Sequence, residues 1–198
     1  MDSPFASIPP PPQVLKVPIE DPKALYALEA GQDLLLEGRL VVGRDMAHKR
    51  LIELLREERE LPFAPRGAVI YYMGPSPAPP GRIIGSAGPT TSGRMDALTI
   101  PLLEKGVKAL VGKGRRSAPV KEALIQNGAV YLAAVGGAGA YYGDRVKSVK
   151  VLAWPELGPE ALLELEVSAF PALVVYDLLG GDQYVSGPSR WRLNPQGI

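Results

Sequence analysis

The sequence contains no cysteine and only one histidine, His48, among its 198 residues. The lack of cysteine excludes disulfide bonds, thiol nucleophiles, thiolate zinc sites and any iron–sulfur cluster bound by this chain alone. A metal site made by the chain itself would have to use carboxylates, and no tight acidic cluster indicates one. A self-contained metal centre is therefore not expected.

The sequence also lacks an excess of charge and a long apolar run. Lysine and arginine number 22 and aspartate and glutamate 21, so no overall field favours nucleic acid or an anionic membrane. No run of about 18 apolar residues occurs, and the first residues have neither the basic start nor the apolar centre of a signal peptide. We expect a cytoplasmic protein that binds neither nucleic acid nor membrane.

Apolar residues make up 46% of the chain, which is enough for a substantial core in one domain. The 22 glycines and 21 prolines gather between apolar runs, where they mark loops. Strand-like and helix-like segments alternate over 13–136, and the segments 148–156, 161–167 and 172–180 are predicted to be further strands. Alternation of this kind predicts an α/β fold with a mixed, partly parallel sheet and helical cover.

Local patterns predict individual elements within the alternating part. Residues 34–36 and 40–42 are β-prone runs separated by three residues, which is typical of a hairpin. Asp45 is placed to cap a helix that has one apolar and one charged face. Further helices are predicted over about 95–105 and over 118–128.

Polar residues cluster in three loops that follow predicted strands, namely 43–45 (GRD), 85–96 (GSAGPTTSGRMD) and 112–116 (GKGRR). Because ligands bind at the carboxyl ends of strands in open α/β sheets, these loops are expected to converge. The residues that would line one pocket are Arg44, Arg94 and Lys113, with the hydroxyls of Thr90, Thr91 and Ser92. Such a pocket suits a small anion with more than one carboxylate, because a guanidinium binds a carboxylate through two hydrogen bonds.

Simpler interpretations exist for several of these residues. Segment 85–96 is also typical of a turn followed by a helix cap, or of a phosphate cradle built from backbone amides, although its glycines match no Walker A motif and no dinucleotide fingerprint. Asp96 fits the start of a helix as well as a site role. His48 fits a surface or hydrogen-bonding histidine better than a catalyst. Arg115 and Arg116 are expected on a solvated face.

Six blocks of the sequence, taken in order, resemble one known family: GRDMAH (43–48), YYMGPSP (71–77), GSAGPTTSGRMD (85–96), GKG (112–114), VGGAGA (135–140) and FPALVVYD (170–177). The family comprises the β subunits, or C-terminal domains, of class I iron–sulfur fumarate hydratases and L-tartrate dehydratases. The resemblance covers residues 14–185 and implies a swivelling β/β/α domain. An extended lead-in over 1–13 would precede this domain, and a tail over 186–198 would follow it.

The resemblance implies a hydro-lyase that is active only with a partner. In that family the α subunit holds a [4Fe-4S] cluster, which accounts for the missing cysteines, and an α2β2 assembly is expected. Arg44, Arg94 and Lys113 match positions that hold the dicarboxylate, and Thr90 is the catalytic candidate, which either moves a proton or positions the substrate. The remaining substrate-binding candidates are His48, from the GRDMAH block, and Thr91.

Three functions stay open on the sequence alone. The first is fumarate hydratase, which interconverts (S)-malate with fumarate and water. The second is L-tartrate dehydratase, whose substrate differs by one hydroxyl, a difference that a few side chains decide. The third is a non-catalytic carboxylate-binding or scaffold subunit, which the missing cluster ligands support and the intact Thr90, Arg94 and Lys113 oppose.

Overall fold

The computed structural model describes residues 11–192. Within them lie seven strands: β1 (Gln13–Val17), β2 (Asp33–Val42), β3 (Val69–Tyr71), β4 (Ala109–Gly112), β5 (Val130–Ala133), β6 (Val146–Ala153) and β7 (Leu162–Tyr176). The α-helices of the same residues are α1 (Lys23–Tyr26), α2 (Asp45–Arg56), α3 (Asp96–Glu104), α4 (Ala118–Gln126), α5 (Gly139–Gly143) and α6 (Gln183–Trp191). Short 3-10 helices cover Ser92–Met95 and Pro155–Glu160.

The predicted lead-in and tail fall only partly within the described residues. The lead-in lies outside them as far as residue 10, and its last residue, Gln13, is the first residue of β1. The tail lies outside them from residue 193. Helix α6 crosses the start of the predicted tail at residue 186, so the chain is helical on both sides of that boundary.

A mixed sheet organises the described residues. Strands β1 to β5 are parallel and lie side by side in chain order, whereas β7 is antiparallel to β2, β5 and β6. Hydrogen bonding passes from β2 through β3, β4 and β5 to β7 and returns to β2, so these five strands close on themselves. Neighbouring parallel strands require crossover connections, which α1 to α4 and their loops supply. The predicted α/β class and mixed, partly parallel sheet are confirmed.

Alternate residues of the strands enter two separate cores, as the period of two in a strand requires. In β3, Val69 and Tyr71 belong to a core that combines residues of all seven strands. Ile70 between them belongs to a second core, shared with the apolar faces of α2, α3 and α4. The sheet is therefore buried on both faces along β3. Helices α2, α3 and α4 cover one face, whereas Leu25 of α1 and Tyr142 of α5 belong to the core on the other.

The predicted hairpin over 34–42 is wrong, because β2 is one continuous strand of ten residues. Its pairing with β7 shifts register between Leu36 and Gly38, which is the signature of a bulge. Gly38 has a φ of +117°, and a Cβ there would overlap the Val17 carbonyl of β1. The glycine that suggested a turn instead permits close approach of the neighbouring strand.

The two strands predicted over 161–167 and 172–180 are also one strand, β7, which ends at Tyr176. Ala169 has a φ of +48° at the junction between them, and its N–H donates to the Glu37 carboxylate at 2.7 Å. The strand therefore passes through an irregular residue and goes on to pair with β5. Local sequence patterns predict that the strand ends near such a residue. Here pairing with the neighbouring strands continues on both sides of it.

The three predicted helices are confirmed as α2, α3 and α4, with bounds that differ by a few residues. In α2 the apolar face is buried through Ala47, Leu51 and Ile52, and the charged face is turned to solvent. None of the helices within residues 11–192 has the length and apolar character needed to cross a membrane.

Candidate functional site

Segment 88–95 lies between the ends of β3 and β4 and is held there by backbone hydrogen bonds. The Thr90 N–H donates to the Tyr72 carbonyl at 2.8 Å, and the Ser92 N–H donates to the Lys113 carbonyl at 2.9 Å. Thr91 also faces Lys113 in an isolated parallel bridge. These bonds place the threonines beside the loop after β4, at the carboxyl edge of the parallel strands.

Arg94 connects this segment to the loop after β2. Its Nη2 lies 2.9 Å from Thr90 Oγ1 and 2.9 Å from Asp45 Oδ2, at the start of α2. The two hydrogens of Nη2 satisfy these two acceptors, so the Nε and Nη1 hydrogens remain for another ligand. Because half of the Arg94 side chain is exposed, these donors are accessible to a carboxylate from solvent.

Arg44 lies beside the same cluster, immediately before α2. Its Nη2 is 3.4 Å from Glu160 Oε1, and its Nε is buried without a hydrogen-bond partner among the described residues. A Cβ on Gly74 would lie 2.7 Å from Arg44 Cζ, so the absent side chain of Gly74 leaves the space that the guanidinium fills. Arg44 is thus confined against backbone while keeping part of its surface open.

Lys113 supplies the third cation. Its side chain runs along Gly136, at which a Cβ would lie 3.6 Å from Lys113 Nζ. Within residues 11–192 the ion pairs include both Arg44 and Arg94 but not Lys113. The half-buried Lys113 therefore has no carboxylate partner in the described part of the chain, and its backbone lies next to that of Thr91.

His48 lies beneath Arg44 and is completely buried. Its Nδ1 is 3.1 Å from the Arg44 carbonyl, and its ring packs on Tyr72 at a centroid distance of 5.2 Å. Desolvation lowers the pKa of His48 to about 4, against the opposing effect of the hydrogen bond to Arg44. The ring is therefore neutral near pH 7, and Nδ1 carries the proton that it donates to the Arg44 carbonyl. No surface of His48 is open to a ligand.

Ser92 does not line the site, contrary to expectation, because it is completely buried. Its Oγ accepts hydrogen bonds from the Lys113 N–H at 3.1 Å and from the Tyr131 hydroxyl at 3.0 Å. A Cβ on Gly112 would overlap this Oγ, so glycine is needed there for the serine to fit. Thr91, by contrast, is exposed. Since the amides of Thr90 and Ser92 are already bonded to carbonyls, they are not available to cradle a phosphate.

Residues 12–187 match the family model described as Fumarase C-terminus. The chain belongs to this family. The relatives include Fumarate hydratase 2 of Leishmania major, which is 40% identical over 174 residues, or 86% of this chain and 30% of the relative. The anaerobic class I fumarate hydratase of Escherichia coli strain K12 is 41% identical over 75% of this chain and 28% of its own length.

A third relative of this Fumarase C-terminus chain is similar in length. The putative L(+)-tartrate dehydratase subunit beta of Methanocaldococcus jannaschii is 36% identical over 82% of this chain and 86% of the relative. The chain spans less than a third of the length of the two fumarate hydratases. The matching region is therefore a part of the two longer fumarate hydratases and most of the Methanocaldococcus relative.

The donor set of this Fumarase C-terminus chain does not fit an iron–sulfur cluster. The sequence has no cysteine, and residues 11–192 contain no group of three or more His, Cys, Asp or Glu side chains arranged to hold a metal ion. Thiolates are the usual ligands of such clusters. Cluster ligands would therefore have to come from outside this chain.

A buried polar cluster under the site corrects the expectation that Arg116 is solvated. The Arg116 side chain has no exposed surface, and its Nε lies 2.6 Å from Asp96 Oδ1. Its Nη2 donates to Thr99 Oγ1 at 2.8 Å, and its guanidinium lies over the rings of Tyr72 and Tyr131. Arg115, the other residue of that prediction, is exposed as expected.

Asp96 belongs to this buried cluster and not to the exposed one. Its second carboxylate oxygen accepts the Ser117 N–H at 2.7 Å, so the residue joins the start of α3 to the start of α4. Of the two sequence interpretations, the structural one therefore applies. The Asp96–Arg116 ion pair holds the chain near Lys113 in place, because Arg116 lies three residues after Lys113.

Glu160 holds the start of α2 and Arg44, a role that the sequence did not predict. Its Oε2 accepts the Met46 N–H at 2.8 Å, and Oε1 pairs with Arg44. The predicted cap of α2, Asp45, makes no capping bond; it is the first residue of the helix, and its carboxylate faces Arg94. Glu160 is the last residue of a 3-10 helix more than a hundred residues away, so no local signal could indicate that it caps α2.

Proposed function

We propose that this chain is the β part of an iron–sulfur hydro-lyase that interconverts fumarate and water with (S)-malate. The observation that supports the proposal most is the grouping of Arg44, Arg94 and Lys113 around Thr90 at one edge of the sheet. Three cationic side chains with accessible donors match a substrate with two carboxylates. Membership of the Fumarase C-terminus family supports the same chemistry.

In this proposal the arginines bind and orient the substrate. Arg94 offers Nε and Nη1 to one carboxylate, because Nη2 is already bonded to Thr90 and Asp45. Arg44 and Lys113 bind the second carboxylate and stabilise the negative charge that develops when a proton leaves the neighbouring carbon. Thr91, exposed beside Lys113, is the additional substrate contact, whereas buried His48 acts through the Arg44 carbonyl that it holds.

Thr90 is the proposed proton-transfer group. During dehydration of malate the Thr90 oxygen, after losing its own proton to solvent, takes the proton from the carbon next to one carboxylate. The electron pair of that C–H bond forms the double bond, and the hydroxyl leaves the adjacent carbon as hydroxide. The proton that Thr90 then gives up converts the hydroxide to the product water. A threonine hydroxyl alone is a weak base. The hydrogen bond that Arg94 donates to its Oγ1 at 2.9 Å stabilises the deprotonated oxygen, which makes the role chemically feasible.

The proposed partner is a cysteine-bearing α subunit or α part that holds a [4Fe-4S] cluster. When bound, the cluster supplies a Lewis-acidic iron for the hydroxyl that is added or removed. The present chain acts as a swivelling domain that brings its cationic edge to the partner's cluster, within an α2β2 assembly. The Methanocaldococcus relative is named a putative subunit beta, which supports the two-subunit arrangement.

A tartrate dehydratase is the second candidate. The relative with that name is covered over 86% of its length, a larger share than either fumarate hydratase, which favours this alternative. Tartrate carries one hydroxyl more than malate, and a buried donor or acceptor that pairs with that hydroxyl discriminates strongly. Such a group on the partner or near Thr91 would decide between the two substrates.

The test is to coexpress the full chain with its cysteine-bearing partner under anaerobic conditions and to assay fumarate, tartrate and mesaconate. We expect hydration of fumarate, and the chain without its partner should be inactive and free of iron. Activity on tartrate alone would establish the second candidate. A loaded cluster without turnover of any of the three would favour a non-catalytic carboxylate-binding subunit and contradict the proposal.

The variant Thr90→Ala, assayed in the same complex, tests the proton-transfer role. Loss of the transferring group should reduce kcat by at least about a hundredfold. A fall of only about twofold to threefold would show that Thr90 positions the substrate without moving the proton.

A further inference from the structure

The geometry points to Asp45 as a positioning residue that holds Arg94 and, through it, Thr90. Arg94 Nη2 is 2.9 Å from Asp45 Oδ2 and 2.9 Å from Thr90 Oγ1. Asp45 stands on α2, whereas the other two residues lie on the segment before α3, and Arg94 is 49 positions further along the chain than Asp45. One nitrogen atom thus joins two separate loops of the site. This inference rests on the proposed function.

The number of hydrogens on Nη2 explains why Asp45 matters. An Nη nitrogen carries two hydrogens in the plane of the guanidinium. If Asp45 binds one, the other points to Thr90, and the plane of the group is fixed. Without Asp45 the exposed side chain can turn about its own bonds, because the ion pair with Asp45 is its only one in the described part of the chain. Thr90 then loses a fixed donor, and the free Nε and Nη1 lose their orientation toward a substrate.

Asp45 itself is firmly held. It is the first residue of α2, a helix anchored by the buried residues Ala47, Leu51 and Ile52. The next residue, Met46, is bonded through its N–H to Glu160 at 2.8 Å. The carboxylate therefore projects from a rigid element, whereas Arg94 projects from a 3-10 turn of four residues. The aspartate is the fixed member of the pair.

Stability alone does not account for a carboxylate at this place. An exposed ion pair contributes only about 0 to 1 kcal/mol. Asp45 also pairs with Arg94 and follows Arg44 in the chain, two of the cations that in the proposed function receive an anionic substrate, so its charge opposes binding. A group that weakly stabilises the fold and repels the ligand is expected here only if it orients Arg94. The orienting function needs an oxygen acceptor and not a full negative charge.

The variants Asp45→Ala and Asp45→Asn separate these contributions. Asparagine keeps an oxygen that can accept from Arg94 and removes the charge, whereas alanine removes both. Glu57→Ala is the matched control. It deletes a carboxylate from the other end of α2, where Glu57 forms an exposed ion pair with Arg59 at 3.0 Å.

The first readout is the NMR signal of the Arg94 guanidinium in the isotope-labelled full chain. We expect slow rotation of its Nη2 group in the wild type, in Asp45→Asn and in Glu57→Ala, and averaged Nη2 signals in Asp45→Ala. This measurement needs neither partner nor cluster, so it decides the positioning role even if the chain has another function. An Arg94 signal that Asp45→Ala leaves unchanged would overturn the inference.

The second readout is steady-state kinetics of the assembled enzyme. Asp45→Ala should lower kcat at least about tenfold, because a misplaced guanidinium no longer supports Thr90. Asp45→Asn should restore kcat to within about threefold of wild type and leave KM equal or lower, since a repulsive charge is gone. Equal losses in both variants would show that the charge acts directly, and would contradict a positioning role. Unchanged kcat in Asp45→Ala would contradict it as well.

Discussion

Two arginine–aspartate pairs in this molecule consist of the same chemical groups but differ in how far their side chains are exposed to solvent. Arg116 and Asp96 are 2.6 Å apart, with 0% and 17% of their side chains exposed. Arg94 and Asp45 are 2.9 Å apart, with 51% and 33% exposed. The guanidinium of the first pair is enclosed by protein, whereas that of the second keeps donors toward solvent. Burial therefore decides which arginine holds the fold and which is available to a ligand.

Removal of the buried guanidinium should have the largest effect. Arg116→Ala leaves the Asp96 carboxylate without its ion pair and removes one of the two donors to Thr99 Oγ1, and breaking a buried pair in this way costs about 3 to 5 kcal/mol. Urea unfolding of the full chain measures the loss. A change of less than about 1 kcal/mol, the range of exposed pairs, would remove the distinction between the two arginines.

The pH dependence of the unfolding free energy tests the burial of His48. Its pKa is about 4 in the folded chain against 6.5 ordinarily, so the unfolded chain binds a proton first as the pH falls. Stability should be fully present above about pH 6.5 and decline toward pH 4, by on the order of 3 kcal/mol in total. Unfolding measured across this range in wild type and in His48→Asn, which keeps a donor for Arg44, isolates the contribution. A constant difference between the two curves would contradict burial of a neutral ring.

Replacement of the exposed Arg94 should lower kcat/KM and leave the free energy of unfolding nearly unchanged. Arg94→Ala removes a charged two-hydrogen-bond contact, worth about 1.5 to 3 kcal/mol, and should lower kcat/KM of the assembled enzyme by roughly ten- to a hundredfold. Arg94→Lys should recover only part, because an ammonium group cannot reproduce the planar fork. Unfolding free energy should change by less than about 1 kcal/mol in both variants. A large destabilisation with normal kcat/KM would reverse the roles given to Arg94 and Arg116.

The smallest predicted effect concerns the space beside Arg44. In Gly74→Ala the new Cβ would lie 2.7 Å from Arg44 Cζ, so the guanidinium has to move while the backbone keeps an ordinary conformation. We expect KM for the dicarboxylate to rise about tenfold, equivalent to roughly 1.4 kcal/mol, with kcat changed much less. An unaltered KM would show that Arg44 does not hold a carboxylate.

The sequence predicted the sheet class, the main helices and the loops of the site because these depend on local periodicity and on parallel topology. It could not predict that Arg116 is buried while Arg115 is exposed, since both follow the same glycine-rich loop. The burial of Arg116 depends on the rings of Tyr72 and Tyr131, which are distant in the sequence. The continuous β2 and β7 were missed because pairing with distant strands, and not local composition, carries them through Gly38 and Ala169. Glu160 was missed for the same reason.

The central claim is that the cationic edge formed by Arg44, Arg94 and Lys113 holds a dicarboxylate. The most direct test is a crystal structure of the chain assembled with its partner and bound to (S)-malate or fumarate. The account predicts one carboxylate on Nε and Nη1 of Arg94, the other between Arg44 and Lys113, and the reacting carbons within reach of Thr90 Oγ1. A dicarboxylate bound elsewhere, with Arg94 still turned only to Thr90 and Asp45, would contradict it.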